Sequence, residues 1–217
     1  MANEDNPALQ VKPKLRGVLH QYGCFISLPM GGWLMTVTDL DGEFWPILIY
    51  CLGLSALLGT SALYHRIDWP EAKRLRMRRL DRTMIFVLIA TTYTPFGLLA
   101  FTGSKNIFVL RALWSSVFVG FVLNFLWANA PKWLIASLYV MVGWLVALML
   151  PEYYQQTGST IAGLMLAGGI SYTVGAVFYA FKGPNLVPGV FGYHELFHAF
   201  VLLGAGFHFA AVYNLIG

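Results

Sequence analysis

The chain has 217 residues, of which 58% are hydrophobic and only 11% are charged, and its formal net charge is +4. A soluble domain carries roughly 25% charged residues, so a chain with less than half that share cannot cover a water-facing surface. The composition argues against a soluble enzyme, a nucleic-acid-binding protein and a disordered tail. It indicates an integral membrane protein.

Seven long windows with almost no charge follow one another along the chain, each close to the roughly 20 residues that a helix needs to cross the hydrocarbon core. Barrel strands would be about half as long and would alternate. We therefore predict an all-α bundle of seven transmembrane helices in one domain, residues 16–217, after a cytoplasmic tail of residues 1–15. The predicted spans are 17–38, 44–65, 82–104, 107–130, 133–151, 157–181 and 192–216.

The distribution of Lys and Arg predicts how the bundle is oriented. With the N-terminus inside, 12 of the 14 Lys and Arg residues fall on the inner side, and only Lys105 and Arg111 fall outside. The positive-inside rule then places the N-terminus in the cytoplasm and the C-terminus outside the cell membrane. The basic run at 73–82 is interpreted as a cytoplasmic loop that contacts anionic lipid headgroups, not as a nucleic-acid site. Membrane lipids are the expected partners, and the sequence sets no oligomeric state.

On this topology the rare polar side chains collect at the cytoplasmic end. His65 ends the second predicted helix, and Ser61 lies four residues earlier on the same face. Asp81 opens the third helix, and His194 and His198 open the seventh with the same four-residue spacing. The five residues share one depth within about 6 Å. Ionisable groups at membrane depth usually face the bundle interior, so we expect them to lie close together.

Three histidines at one depth predict a zinc site. Zinc binds imidazole nitrogen, and a catalytic site keeps three protein ligands and one open position. Asp81 could hold a water at that position or act as its base. Ser61 could orient either the water or Asp81. Asp81 and Ser61 are therefore the candidate catalytic residues. For a single histidine, a helix cap or a contact with headgroups is the simpler interpretation. The pair of His194 and His198 together with His65 favours a metal.

The pair also spells His194-Glu195-Leu196-Phe197-His198, which matches the HExxH motif of zinc peptidases, where the glutamate is the general base. The match is short, and matches of this length arise by chance fairly often. An intramembrane metalloprotease needs a further acidic ligand at the same depth, and only Asp81 is placed to provide one. The peptidase is therefore the weaker interpretation.

Two polar residues lie away from this cluster. His208 follows His194 by fourteen residues, about 21 Å along a helix, which is too far to share the metal. We expect either a buried, hydrogen-bonded histidine or a polar group further along a cavity. Asn124 is expected to form a hydrogen bond between helices.

The order of these motifs is similar to that of a known family. Ser61-Ala-Leu-Tyr-His65, then Asp81, then Thr92-Tyr-Thr-Pro-Phe96 and His194-x-x-x-His198 resemble the hemolysin III family, the bacterial members of the progestin and adipoQ receptor (PAQR) family. The resemblance runs from about Leu15 to the C-terminus. The resemblance implies a cytoplasmic N-terminus and a zinc ion bound by His65, His194 and His198. It also implies that Asp81 is the family's aspartate, which contacts the zinc water, and that Ser61 is the family's serine.

The first helix departs from the family pattern. Many bacterial relatives place an acidic residue and an Asn-Ser pair before a histidine there, whereas this chain has Arg16-Gly-Val-Leu-His20-Gln. The histidine is retained without its acidic companion, so the role of His20 stays open.

Three functions remain in competition. The first is a zinc-dependent hydrolase of lipid amides or esters, the ceramidase-like chemistry that eukaryotic relatives suggest. The second is a receptor or regulator of membrane lipid state in which the zinc is structural. The third is a pore-forming hemolysin or channel, against which the sequence argues weakly because no charged ring lines an outer segment.

Overall fold

The computed structural model describes residues 12–127 and 130–217, which are helical except for short turns and one isolated bridge between Val187 and Phe191. The predicted tail up to residue 11, and residues 128 and 129 of the predicted fourth span, lie outside the described residues. The helices are α1 Val18–Val37, α2 Phe44–Arg66, α3 Glu71–Pro95, α4 Gly103–Leu126, α5 Lys132–Trp144, the single turn α6 Leu150–Glu152, α7 Gly158–Phe181 and α8 Tyr193–Ile216.

Among the described residues, five helical segments are long and apolar enough to cross a membrane. Large apolar side chains such as Phe118, Leu126 and Phe181 are exposed on the outside of the bundle, as a lipid-facing surface requires and an aqueous one does not tolerate. The protein is thus an all-helical membrane protein, and the seven spans and their orientation stay predictions. The five segments are Phe44–Arg66, Glu71–Ala100, Gly103–Leu126, Lys132–Phe181 and Tyr193–Ile216.

Helix α3 begins at Glu71, well before the start predicted at 82. The basic run at 73–82 is therefore helical, and its interpretation as a loop was wrong. This stretch is rich in Ala, Lys, Arg, Leu and Met, which favour helix. Because its charged residues lower its hydropathy, a search for apolar windows does not detect the helix. Asp81 consequently lies inside a helix. The far end of α3 is also shorter than predicted, since Pro95 is followed by a wide π turn, Phe96–Ala100.

Residues 132–181 are almost continuously helical, yet this segment doubles back on itself. The Nε1 atom of Trp144 donates to the hydroxyl of Thr173 at 2.9 Å. In a straight helix these residues would lie about 43 Å apart, and the packing of α5 against α7 shows the same reversal. The reversal includes Gly158, whose φ of 83° is a left-handed conformation that glycine adopts without steric cost.

The helices close into a ring, with α4 packed outside it against α3. Around the ring, α1 packs against α2 and α8, α2 against α3, α3 against α5, and α7 against α5 and α8. Asn124 of α4 donates to the Thr83 hydroxyl of α3 at 3.2 Å, which confirms the predicted hydrogen bond between helices. The ring brings the C-terminal end of α2 beside the N-terminal ends of α1 and α8, although α2 and α8 are far apart in sequence.

Candidate metal centre

Three helices contribute the predicted polar side chains to one end of the bundle. The four-residue spacing places Ser61 and His65 on one face of α2, and His194 and His198 on one face of α8. Asp81 enters from α3, and its Oδ2 atom lies 4.0 Å from Nε2 of His65. The structure therefore brings together all five residues that the sequence singled out.

The three histidines converge on a single point. Their ligand nitrogens all lie within 4.8 Å of one another, and Nε2 of His194 lies 3.1 Å from Nε2 of His65. His198 is 2% exposed and His65 is 8% exposed. Three imidazoles that share one buried position form a cluster that could hold a metal ion.

The donor set fits zinc. Nitrogens at 2.0–2.1 Å from a tetrahedral zinc ion lie roughly 3.4 Å from one another. The observed nitrogen separations span this value, with one pair at 3.1 Å and none above 4.8 Å, so small side-chain torsions would bring all three to ligating distance. Two imidazole nitrogens that face each other must share a proton or a cation, and a metal ion satisfies the third nitrogen as well.

Asp81 and Ser61 border the histidines. The Asp81 side chain is 18% exposed, and its carboxylate interacts with the Ser61 hydroxyl. Both residues line a small cavity together with His194 and His198. A carboxylate that stands beside the nitrogen donors, close to where a ligand would bind, is placed to accept a proton from that ligand.

His20 is a site residue whose role the sequence left open. Its ring stacks on the ring of His198, with centroids 3.7 Å apart and planes 11° apart. Its Nδ1 atom lies 2.8 Å from the Ser61 hydroxyl, and the residue is 3% exposed. Its position near the inner end of the first helix was the one available signal, but nothing in the sequence tied that helix to α2 and α8.

Gly17 allows the start of α1 to approach His65. Its φ is 79°, a left-handed conformation that penalises other residues. A Cβ atom at this position would lie 2.6 Å from Cβ of His65, closer than packed atoms allow. A glycine is therefore needed where α1 passes the histidine.

Glu195 is committed to structural contacts. It forms an ion pair with Arg16, its Oε2 atom accepts a hydrogen bond from the Gly192 backbone N–H at 2.8 Å, and its side chain is fully buried. The HExxH match consequently lacks a free general base, and the peptidase interpretation has no geometric support.

Basic side chains surround the polar end of the bundle. Lys132 Nζ donates to the Tyr193 hydroxyl at 2.6 Å and lies 5.2 Å from the ring centroid of Tyr179, which contacts the ring of His194. Arg82 lines the smaller cavity. This positive rim favours ligands that carry or develop negative charge.

A larger cavity shares part of its wall with the smaller one. Its wall is formed mainly by apolar side chains of α2, α3, α5, α7 and α8. An elongated apolar space that meets a polar site suits a molecule with a hydrocarbon chain and a polar end. The residues that line both cavities are Leu57, Ile85, Tyr139, Phe197 and Val201.

His208 lines this larger cavity and stands apart from the metal cluster. Its Nε2 atom donates to the Met165 carbonyl at 3.1 Å, and it is 8% exposed. Both expectations for His208 are therefore confirmed, since it is buried and hydrogen-bonded and it also lines a cavity away from the metal cluster.

The chain is similar in sequence to known bacterial proteins along most of its length. The family model described as "Haemolysin-III related" matches residues 9–209. The Hemolysin-3 homolog of Bacillus subtilis (strain 168) is 30% identical over 198 residues, which cover 90% of each chain. Hemolysin-3 of Bacillus cereus is 28% identical over 198 residues, covering 90% of this chain and 87% of the relative.

A mammalian protein is also similar. The human Monocyte to macrophage differentiation factor is 26% identical over 172 residues, which cover 77% of this chain and 69% of the human one. No solved structure matches the chain.

Proposed function

Because this chain belongs to the haemolysin-III related family, we propose that it is a membrane-embedded, zinc-dependent hydrolase of lipid amides or esters, with ceramidase-like chemistry. One observation carries the proposal. A cluster of three histidines, with Asp81 beside it, adjoins a cavity with a mainly apolar wall.

Each polar residue has a distinct task. His65, His194 and His198 would hold the ion through neutral imidazole nitrogens. When bound, zinc supplies Lewis-acid chemistry, because it polarises a carbonyl and makes water more acidic. Asp81, 4.0 Å from Nε2 of His65, accepts the proton from the attacking water and returns it to the leaving group. Ser61 holds the Asp81 carboxylate in place.

The two cavities fit the two parts of a lipid substrate. The scissile amide or ester lies in the smaller cavity, next to Asp81 and the histidines. The acyl chain passes Val201 and Phe197 into the larger cavity, where burial of its methylene groups provides the binding free energy.

We further infer seven spans with a cytoplasmic N-terminus. Helix α1 has 20 residues, the length that a span needs, and the reversal between α5 and α7 divides the segment Lys132–Phe181 into two crossings. The metal centre then lies near the cytoplasmic face, at headgroup depth. Lipid amides and esters have their polar linkage at that depth.

The test combines metal content with turnover in detergent-purified protein. We expect about one zinc per chain in the wild type, loss of zinc in His194→Ala, and retention in the matched control His208→Ala, which removes a buried histidine from the same helix. A screen of amide- and ester-linked lipids should show turnover in the wild type. Asp81→Asn should keep its zinc and lose about 100-fold or more in turnover. Full turnover in Asp81→Asn would remove this residue from the mechanism.

The second candidate is a receptor or lipid-state regulator with structural zinc. It is favoured by the way the three histidines join α2 to α8, since a metal there would fasten distant parts of the chain. Zinc-loaded protein that cleaves no lipid in the screen, but loses stability on chelation, would support this candidate over the hydrolase.

A further inference from the structure

We propose that His20 is a positioning residue of the metal centre, a role that rests on the proposed metal site. It touches the centre in two ways: its ring lies against His198, and its Nδ1 atom bonds to Ser61. Through these contacts α1, which supplies no metal ligand, sets the orientation of one ligand and of the Asp81 partner.

The stack has a geometry that suits a metal-bound ring. Aromatic pairs prefer offset or edge-to-face arrangements with centroids 4.5–7 Å apart, whereas the rings of His20 and His198 lie almost parallel at 3.7 Å. A metal ion bound by His198 would withdraw electron density from that ring and turn the close stack into an attraction of the cation–π kind. The ring of His20 would then fix the plane of His198 and favour its metal-bound form.

The hydrogen bond carries orientation from α1 to Asp81. His20 Nδ1 lies 2.8 Å from the Ser61 hydroxyl, and the same serine interacts with the Asp81 carboxylate. The hydroxyl has one proton, so if it donates to Asp81, His20 must donate through Nδ1–H. The imidazole thereby selects which way the hydroxyl points.

Burial argues that His20 is more than a filler of space. It is 3% exposed, and burying an imidazole costs more desolvation free energy than burying a phenyl ring. A phenylalanine would therefore suit a purely space-filling position better. The imidazole contributes here through its stack on His198 and through Nδ1.

Two substitutions separate these contacts. His20→Phe keeps a flat ring against His198 but cannot bond to Ser61. His20→Asn places an amide near the position of Nδ1 but leaves no ring to stack. Cobalt(II) is the metal probe, because its visible spectrum reports the coordination geometry, and competition with a chelator gives its affinity. Thermal unfolding of each variant without metal shows whether the bundle is intact.

We expect His20→Asn to bind cobalt about tenfold more weakly, as outer-shell changes do, with an altered spectrum. His20→Phe should keep the cobalt affinity and the spectrum near those of the wild type, which a misfolded variant could not do. Its kcat should fall with KM unchanged, but by no more than in Ser61→Ala, which also removes the contact with Asp81. The double variant His20→Phe/Ser61→Ala should lose no more than Ser61→Ala alone, since the hydroxyl that His20 orients is already absent.

The possible results are distinct. A His20→Asn protein with the affinity and spectrum of the wild type overturns the role of the stack, and additive losses in the double variant overturn the role of the hydrogen bond. A wild type that binds no cobalt overturns the metal site and this proposal with it. A wild type that binds cobalt but cleaves no lipid overturns the hydrolase and, with it, the catalytic role of the hydrogen bond, while the affinity and the spectrum still decide the role of the stack.

Discussion

The ion pair between Arg16 and Glu195 ties the entrance of α1 to the first turn of α8, next to the metal centre. The Glu195 side chain is fully buried, and that of Arg16 is 21% exposed. Replacing Arg16 with alanine would leave a carboxylate in the interior with one remaining hydrogen bond, from the Gly192 N–H. We expect this change to destabilise the protein strongly.

The magnitude follows from the burial. Removing one partner of a buried pair costs about 3–5 kcal/mol, because the other charge is left uncompensated. Arg16 is partly exposed and the Gly192 N–H remains, so the lower end, about 3 kcal/mol, applies. For a chain of this size that corresponds to a fall of roughly 6–12 °C in Tm. Thermal unfolding of detergent-purified Arg16→Ala measures it.

The chain offers a matched control. Lys12 pairs with Asp68 at 3.3 Å, but the two side chains are 47% and 98% exposed, and such surface pairs contribute less than about 1 kcal/mol. Lys12→Ala should therefore melt close to the wild type. If Arg16→Ala melts within about 2 °C of Lys12→Ala, the buried pair does not have the energy that we assign to it.

A second variant tests the cause. Glu195→Gln removes the buried charge and keeps an oxygen for the Gly192 N–H. In that background Arg16→Ala should cost much less than it does alone, because no uncompensated charge remains. Turnover and zinc content of Glu195→Gln should stay near wild type, whereas a peptidase that relied on the HExxH glutamate would lose activity.

Three further predictions concern the same end of the bundle. Chelation should lower the Tm of the zinc-loaded wild type and leave the Tm of His194→Ala unchanged. Where free zinc had exceeded its Kd 1000-fold, the lost stability is about 4 kcal/mol. Equal shifts in both proteins would place the stabilising ion elsewhere. Gly17→Ala should cost at least about 1–2 kcal/mol, since its φ is 79° and its Cβ would meet His65, whereas Gly42→Ala, with nothing within 4 Å, should be neutral in the same melt. Val201→Trp, where the two cavities meet, should raise KM for long-chain lipids more than for short-chain ones, and an equal effect on both would contradict the assigned acyl path.

Part of the site could be predicted from local spacing alone. Residues four apart on a helix share a face, so the pairs Ser61 with His65 and His194 with His198 were expected to project together. Depth in the membrane then grouped them with Asp81, because ionisable side chains avoid lipid. The structure places all five together, and their catalytic and metal-binding roles stay proposals.

Other features needed contacts between helices that no local pattern encodes. The stack of His20 on His198 depends on α1 lying beside α8, and Glu195 is unavailable as a base only because Arg16 approaches it from α1. Both contacts join residues nearly the whole chain apart. Sequence spacing describes one helix at a time. It could therefore neither place His20 in the site nor exclude Glu195 as a general base.

The sequence by itself determined that this is an apolar helical membrane protein with a few polar residues at one depth, because hydropathy and helical periodicity are local properties. It misjudged the start of α3, where strong helix formers carry charges. The two spans predicted at 133–151 and 157–181 already implied the reversal that the structure shows within residues 132–181. Only the tertiary structure decided that the helices close into a ring and that an apolar cavity meets the histidine cluster. Those outcomes depend on how side chains of different helices pack, and packing is a property of the assembled bundle.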